Sequence, residues 1–497
     1  MLNAHRTMPS LAEILQIEDS PELVELLCPA TGLPVWPQVR IAYLRAILSD
    51  LVYGVQLTGK SQSRIPVTRA CATLARSVAH NLVHSWRRPG PSPICIFGDG
   101  VGNQLIDGKW FNRLAGHFVA ERPDETLVIE DHFEWRWQFP RRHGNVLLHA
   151  PWQAANSIAG RVRVGERERR LASRLVDLVN ERAAHHLQWS PGPGRQAGLV
   201  AMAAQKIAAL PYQVATYSRL LDRVRPKVLI VNAGCYGPAA GLLAAAKAKG
   251  IVTAEFQHGV ISLGHDAYNF GPAILASEHY RLTLPDYLLT YGNWWGQQSN
   301  APVKKITIGN PQRAARLPAG AEAGKTDLLV LSDGLEIDRY LELMRAIAAK
   351  AAQTGLRPVL RPHPLERTKL MSLPQQLTEG FVIDTNPDIY TSFRKARVVV
   401  SEASTGLFEA VGIAGQIFMW ASPRTEFIFP EYPFPSFDTA ESLGRLLEEV
   451  QAPGGCSVAP DDIWAPDWAR RYRDFLAAHG VSSRTAGARV ATECEHV

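Results

Sequence analysis

The chain has 497 residues, 46% hydrophobic and 20% charged, with a formal net charge of +6. Such a length exceeds one ordinary core and such a composition is globular, so two domains are expected and fibrous or disordered classes are excluded. No apolar run reaches the roughly 18 residues of a membrane span, and the scattered arginines, without an aromatic RNA-binding signature, exclude nucleic acid as the expected partner.

Residues 1–90 read as an N-terminal helical extension. Apolar residues recur at three-to-four spacing in Leu11–Ile17, Ser20–Leu27, Gln38–Leu57 and Val67–Trp86. Acidic residues occupy the opening where a signal peptide would have its apolar region, so a cytoplasmic location is expected.

Residues 91–311 read as a Rossmann-like domain. Strands are predicted at Pro93–Phe97, Leu127–Ile129 and Asn145–His149, followed by helices up to Arg225 and an interruption at Ser190–Gly198. From Lys227 strands and helices alternate through Ile251–Phe256, Asp286–Thr290 and Lys304–Ile308, which implies parallel βαβ units. Residues 312–325, rich in alanine and glycine without an apolar stripe, read as a linker.

Residues 326–455 read as a second Rossmann-like domain. Its predicted strands are Asp327–Leu331, Pro358–Arg361, Phe381–Ile383, Val398–Val400 and Gln416–Trp420. Residues 456–497 read as a terminal helix, Trp464–His479, crossing back onto the first domain, and a frayed tail. The fold class is therefore α/β, two Rossmann-like domains facing a cleft (the GT-B plan), with a helical extension.

Chemistry-bearing residues follow the predicted strands. Arg361–Pro362–His363–Pro364 holds an imidazole in a stiff, extended loop that suits donation to a phosphate or protonation of a leaving nucleotide. Ser401, Ser404, Thr405 and Gly406 lead into a helix and offer hydroxyls and N–H groups to a phosphate, or serve only as helix caps. Glu409, one turn on, can accept hydrogen bonds from sugar hydroxyls. Gln257–His258–Gly259 ends a strand of the first domain, so His258 is a candidate base or anion ligand. Carboxylates for a general base are Asp99, Glu130, Asp131 and Asp333, the last within Ser332–Asp333–Gly334; each is also an ordinary turn residue. Trp294, Trp295, Trp135 and Trp137 suit core packing better than sugar stacking. No metal or cofactor is expected: there is no D-x-D pair, no P-loop, and the six cysteines are scattered without a CxxC pair.

QHG at 257–259, RPHP at 361–364 and SEASTGLFEA at 401–410 resemble the blocks of bacterial surface-polysaccharide glycosyltransferases. The pattern is similar to capsule-type transferases using CMP-activated sialic acid or Kdo, and more distantly to CDP-glycerol glycerophosphotransferases. The resemblance implies that His363, Ser404 and Thr405 bind the CMP phosphate, with the histidine assisting its departure. The acidic motif that supplies a base in those enzymes is matched only in part, by GDG at 98–100 and SDG at 332–334. The implied activity is metal-independent transfer of an acidic sugar to a cell-surface glycan or glycolipid. The implied partners are the nucleotide-sugar donor, that acceptor, and the inner face of the membrane or a polysaccharide assembly machinery. The alternatives are a hydrolysing UDP-sugar 2-epimerase of the same two-Rossmann plan and a non-catalytic glycan- or nucleotide-binding assembly protein.

Overall fold

The computed structural model describes residues 8–55, 57, 65–88, 90–317, 324–364, 366–367, 370, 378–449 and 458–481. Strands of the first half are β1 (Ile94–Gly98), β2 (Asn103–Ile106), β3 (Lys109–Asn112), β4 (Thr126–Glu130), β5 (Val146–Leu148), β6 (Val228–Val231), β7 (Val252–Phe256), β8 (Tyr287–Thr290) and β9 (Lys304–Thr307). Seven form a parallel sheet in the order β5-β4-β1-β6-β7-β8-β9, and β2 and β3 form a separate antiparallel hairpin. The second half has β10 (Asp327–Leu331), β11 (Arg357–Arg361), β12 (Val382–Ile383), β13 (Ala396–Ser401), β14 (Gln416–Trp420) and β15 (Ser436–Phe437), in the order β12-β11-β10-β13-β14-β15.

Both sheets are doubly wound, so each has a point where the strand order reverses: between β1 and β6, and between β10 and β13. Loops leaving the strands there diverge and open a crevice. The central strands can sit there because they are continuous apolar runs: β6 and β10 are buried along their whole length, as a parallel sheet covered on both faces requires. The helix Ile337–Gln353 shows the complementary pattern, burying Ile337, Tyr340, Leu341, Met344, Ile347 and Ala351 at three-to-four spacing. Gly355, at φ +75°, terminates it.

The expected extension divides in two. Trp36, Tyr43, Leu44 and Ile47 share one buried cluster with Val176 and Val179 of the helix Glu166–Leu187 and with Ile207 and Leu210 of the helix Pro193–Val224. Inside it Arg40 forms a fully buried bidentate pair with Glu18, at 2.7 and 2.9 Å. Residues 11–53 are thus packed into a core cluster that also takes in Val399 and Phe408 of the second half, rather than appended. The helix Val67–Arg87 lies instead along the sheet edge, against β5.

The helix Trp468–Ala478 lies against the first half: Tyr472 and Leu476 are buried with Ile94, Val228 and Ile230. Just before it, Trp464 Nε1 donates to Phe408 O and Trp295 Nε1 to Ile463 O, both at 2.8 Å, tying one half to the other. Trp295 is fully buried, and Trp294 packs on Phe408 at 5.3 Å. The expected linker starts inside a helix, Pro311–Ala314, whose Arg313 is buried and donates to Val411 O. Residues 318–323 and the tail from Ser482 lie outside the described residues. Among the described residues no helix is long and apolar enough to cross a membrane.

Candidate active site

The C-terminal ends of the two sheets face one cavity of about 560 Å³. The second half contributes Ser332 and Asp333 after β10, Arg361–Pro364 after β11, and Ala403–Gly406 with Glu409 after β13. The first half contributes Gln257 and His258 after β7, Tyr291 after β8, Gly309–Gln312 after β9, and Arg113 beyond the hairpin. Residues from separate motifs in sequence thus meet because parallel strands direct all their following loops to the same edge.

His363 is held from two sides. Its backbone N–H donates to Ser332 Oγ at 2.8 Å, and Ser332 Oγ donates in turn to Glu366. Its ring lies over Gly334, where a Cβ would come within 2.6 Å of Nδ1. Gly334 also has φ +88°, so both conformation and space demand glycine. Burial lowers the imidazole's pKa below its ordinary value; Asp333 opposes this and Arg367 adds to it. Burial also raises the Glu366 carboxyl. Asp333 Oδ1 accepts from Leu335 N at 2.9 Å and so shapes the turn as well as lining the cavity.

Several candidates have structural duties. Arg361 lines the cavity, but its guanidinium donates to Asp384 Oδ2 at 2.6 Å and to Ser392 Oγ at 3.1 Å, within a buried pair. Ser401 lies away from the cavity, fully buried, with Oγ donating to Leu331 O at 2.8 Å. Ser404 caps its own helix, accepting from Gly406 N at 3.1 Å. That helix, Thr405–Glu409, has only five residues, so its dipole is short and side chains must supply most of the field. Gly406 is needed for space: a Cβ would come within 2.7 Å of Leu331 Cδ1. Gln257 joins β7 to β8, accepting from Tyr291 N and donating to Gly259 O, both at 2.8 Å. Gly259 itself stays outside the cavity lining.

Two arginines not picked out from sequence bring positive charge. Arg367 lines the cavity beside His363, and its buried Nε has no hydrogen-bond partner. Its position four residues after His363 was the available signal. Arg113 enters from the other half and faces Glu409, whose pKa burial raises while Arg113, the Tyr390 hydroxyl and Arg313 hold it down. Arg316 also lines the cavity, paired with Asp388 at 2.8 Å.

Asp99 and Asp131 do not enter this cavity. They line a second one, of about 530 Å³, at the reversal point of the first sheet. Asp99 accepts from Gly102 N at 2.6 Å and from Asn232 Nδ2 at 2.8 Å. Asp131 accepts from His149 Nδ1 at 2.5 Å and Gln153 Nε2 at 2.9 Å, while His149 Nε2 pairs with the Tyr217 hydroxyl at 2.9 Å. His149 closes a predicted strand, yet only the fold shows its carboxylate partner. The buried amide oxygens of Asn156, Gln213 and Asn232 line this space without a hydrogen-bond partner. Lys206 lines it too, its pKa lowered by burial. Glu130 enters neither cavity; buried with Arg141 and Asn103, its carboxyl is pushed up to about 7 by burial.

His258 stands between the two spaces. It lines the first, while Tyr236, whose ring centroid is 5.6 Å away, lines the second. Its Nδ1 lies 3.3 Å from the Tyr268 hydroxyl and 3.8 Å from the buried Glu255 carboxylate. Burial lowers its pKa, with Glu255 and Asp99 opposing.

No protein-family model matches the chain. No curated protein matches it either. Among solved structures it is similar to the UDP-GlcNAc 2-epimerase of Methanocaldococcus jannaschii, at 10% identity over 78% of this chain and 99% of that one, with a TM-score of 0.42. The calicheamicin glycosyltransferase CalG4 is similar at 12% identity over 80% of this chain and 100% of that one, also with a TM-score of 0.42. The UDP-GlcNAc 2-epimerase of Neisseria meningitidis, bound to UDP-GlcNAc, is similar at 9% identity over 78% and 99%, with a TM-score of 0.39. Likenesses this distant carry no argument about activity or substrate.

Proposed function

We propose that the protein is a metal-independent glycosyltransferase that moves a sugar from a nucleotide-activated donor to a glycan or glycolipid acceptor at the cytoplasmic face of a membrane. One observation carries this reading: two cavities lie close together, His258 lining the first and Tyr236, with its ring centroid 5.6 Å from that of His258, lining the second. The first, with His363, Arg367 and the Thr405 hydroxyl, suits a phosphate. The second has two carboxylates and three unpaired amide oxygens, all acceptors, and suits a ligand that donates hydrogen bonds, such as a sugar. A hydrolysing epimerase needs room for one substrate and water, not for two substrates.

In the reaction, the bond from the anomeric carbon to the donor phosphate breaks, and its electron pair leaves with the nucleotide. His363 and Arg367 offset the charge that develops on the phosphate, with no metal needed. The acceptor hydroxyl oxygen bonds to the anomeric carbon and its proton passes to Asp99, beside His258. Asp131 acts through His149 by orienting it. The resemblance to CMP-sugar transferases supports CMP as the nucleotide and an acidic sugar as cargo, and Arg113 offers that sugar's carboxylate a cation.

The test is calorimetric titration with CMP, CDP, UDP and GDP, followed by nucleotide release from CMP-sialic acid and CMP-Kdo with a panel of glycan acceptors. The expected results are preferential CMP binding and acceptor-dependent CMP release, both lost in His363→Ala. Release of UDP and an epimerised sugar from UDP-GlcNAc without acceptor would establish the epimerase instead. CMP binding without turnover on any acceptor would mark a binding protein.

A further inference from the structure

The helix Val67–Arg87 is amphipathic, but it is docked with its polar side inward. Thr73 and Ser77 are its buried residues, and Thr73 Oγ1 donates to Trp135 O at 2.7 Å. His80 Nε2 meets Val146 O at 2.8 Å, and His84 Nε2 meets Asn145 Oδ1 at 2.9 Å. Asn81 both donates to Leu148 O and accepts from Leu148 N, at 2.8 and 2.9 Å, closing the free edge of β5. The polar side therefore has a structural reason to face the sheet edge. The apolar side has none to face water, yet Val78, Leu82 and Trp86, at four-residue spacing, are 42%, 67% and 80% exposed. A surface helix ordinarily has the opposite orientation.

The chemistry around this face selects its partner. Residues 67–88 contain Arg69, Arg76, Arg87 and Arg88 and no aspartate or glutamate. The neighbouring helix Ala150–Val162 also has no acidic residue, exposes Ile158 and Val162, and ends in Arg161 and Arg163. Two copies of this surface, packed about a twofold axis, would bring arginine against arginine. We infer that the face formed by Val78, Leu82 and Trp86 docks the protein on an anionic lipid bilayer, the arginines meeting headgroups and the apolar stripe entering the acyl boundary.

The same neighbouring helix lines the second cavity with Gln153, Asn156 and Ser157. Docking therefore places the proposed acceptor site beside the lipid surface, so the acceptor class is a lipid-linked glycan. That last step rests on the transferase reading; the docking does not.

The test is co-sedimentation of the full-length protein with phosphatidylcholine vesicles, with and without phosphatidylglycerol. Binding is expected only with the anionic lipid and should weaken as salt rises. Leu82→Glu/Trp86→Glu should reduce partitioning at least tenfold, and Arg87→Ser/Arg88→Ser by about fivefold per arginine. All four side chains are exposed, so nucleotide affinity and melting temperature should stay at wild-type values. Absence of vesicle binding, or binding unchanged in the glutamate variant, overturns the proposal. So does a dimer in sedimentation equilibrium that the glutamate variant dissolves, because a second copy would then cover the face. Vesicle binding without sugar transfer would leave docking in place and remove the transferase reading; transfer without vesicle binding would do the reverse.

Discussion

Gly334→Ala separates the seat of His363 from the general cost of backbone strain. A methyl group there would lie 2.6 Å from His363 Nδ1 and 2.9 Å from its Cγ. Those contacts are about 1 Å inside the optimal separation of about 3.5 Å, so the ring has to move by a comparable amount. Displacing a reacting group by about 1 Å costs roughly a hundredfold in rate. The left-handed backbone, at φ +88°, adds about 1–2 kcal/mol of destabilisation for any non-glycine residue. Gly355→Ala supplies the control: φ is +75°, and nothing lies within 4 Å of the added methyl. Both variants should lose similar melting temperature, compared with one another because a two-domain chain need not unfold in one step. Only Gly334→Ala should lose roughly a hundredfold in donor turnover. Turnover and nucleotide affinity equal to those of Gly355→Ala would remove His363 from the mechanism.

Three further outcomes follow from the same geometry. Burial lowers the His363 pKa below its ordinary value and a bound phosphate raises it, so donor affinity should strengthen as pH falls from neutrality towards that lowered pKa. Calorimetry on wild type and His363→Gln isolates this term, and parallel pH profiles would exclude it. Arg361→Met leaves Asp384 buried without its cation and should cost about 3–5 kcal/mol of stability. In wild type the Asp384 carboxyl, its pKa held down by Ser392, the Asn386 N–H and Arg361, contributes stability above its unfolded pKa that is lost as pH falls through the lowered one. An unchanged melting temperature in Arg361→Met would return Arg361 to the list of ligand-binding groups. Asn156→Leu should abolish acceptor-dependent transfer while leaving CMP affinity unchanged; wild-type transfer in that variant would remove the second cavity from acceptor binding.

Much of the lining of the first cavity was legible in the sequence. His363, Asp333, Thr405 and Glu409 each follow a short apolar strand closely, and the parallel topology carries such positions to one edge. Partners distant in the chain were not legible. Arg361 stands two residues before His363 in the sequence, but nothing there shows that Asp384, 23 residues on, pairs with its guanidinium. Ser401 looked like its neighbour Ser404, although one faces the adjoining strand and the other caps a helix. The hairpin that leads to Arg113 carries no apolar alternation strong enough to announce it.

The helix Val67–Arg87 shows the division most plainly. Its amphipathic period is in the sequence, because each side chain's angular position follows from 3.6 residues per turn. Which side faces inward is not, because that depended on an unpaired strand edge 67 residues away needing Asn81 more than the core needed Leu82. The sequence alone determined two parallel α/β halves and most of the loops at their mouths, since strand and helix formation follows from near neighbours. Only the tertiary structure decided that Asp99 and His363 occupy different cavities, and that His258 of the one lies close to Tyr236 of the other. Such placements depend on which strands lie side by side, and that is settled by burial and pairing over the whole chain.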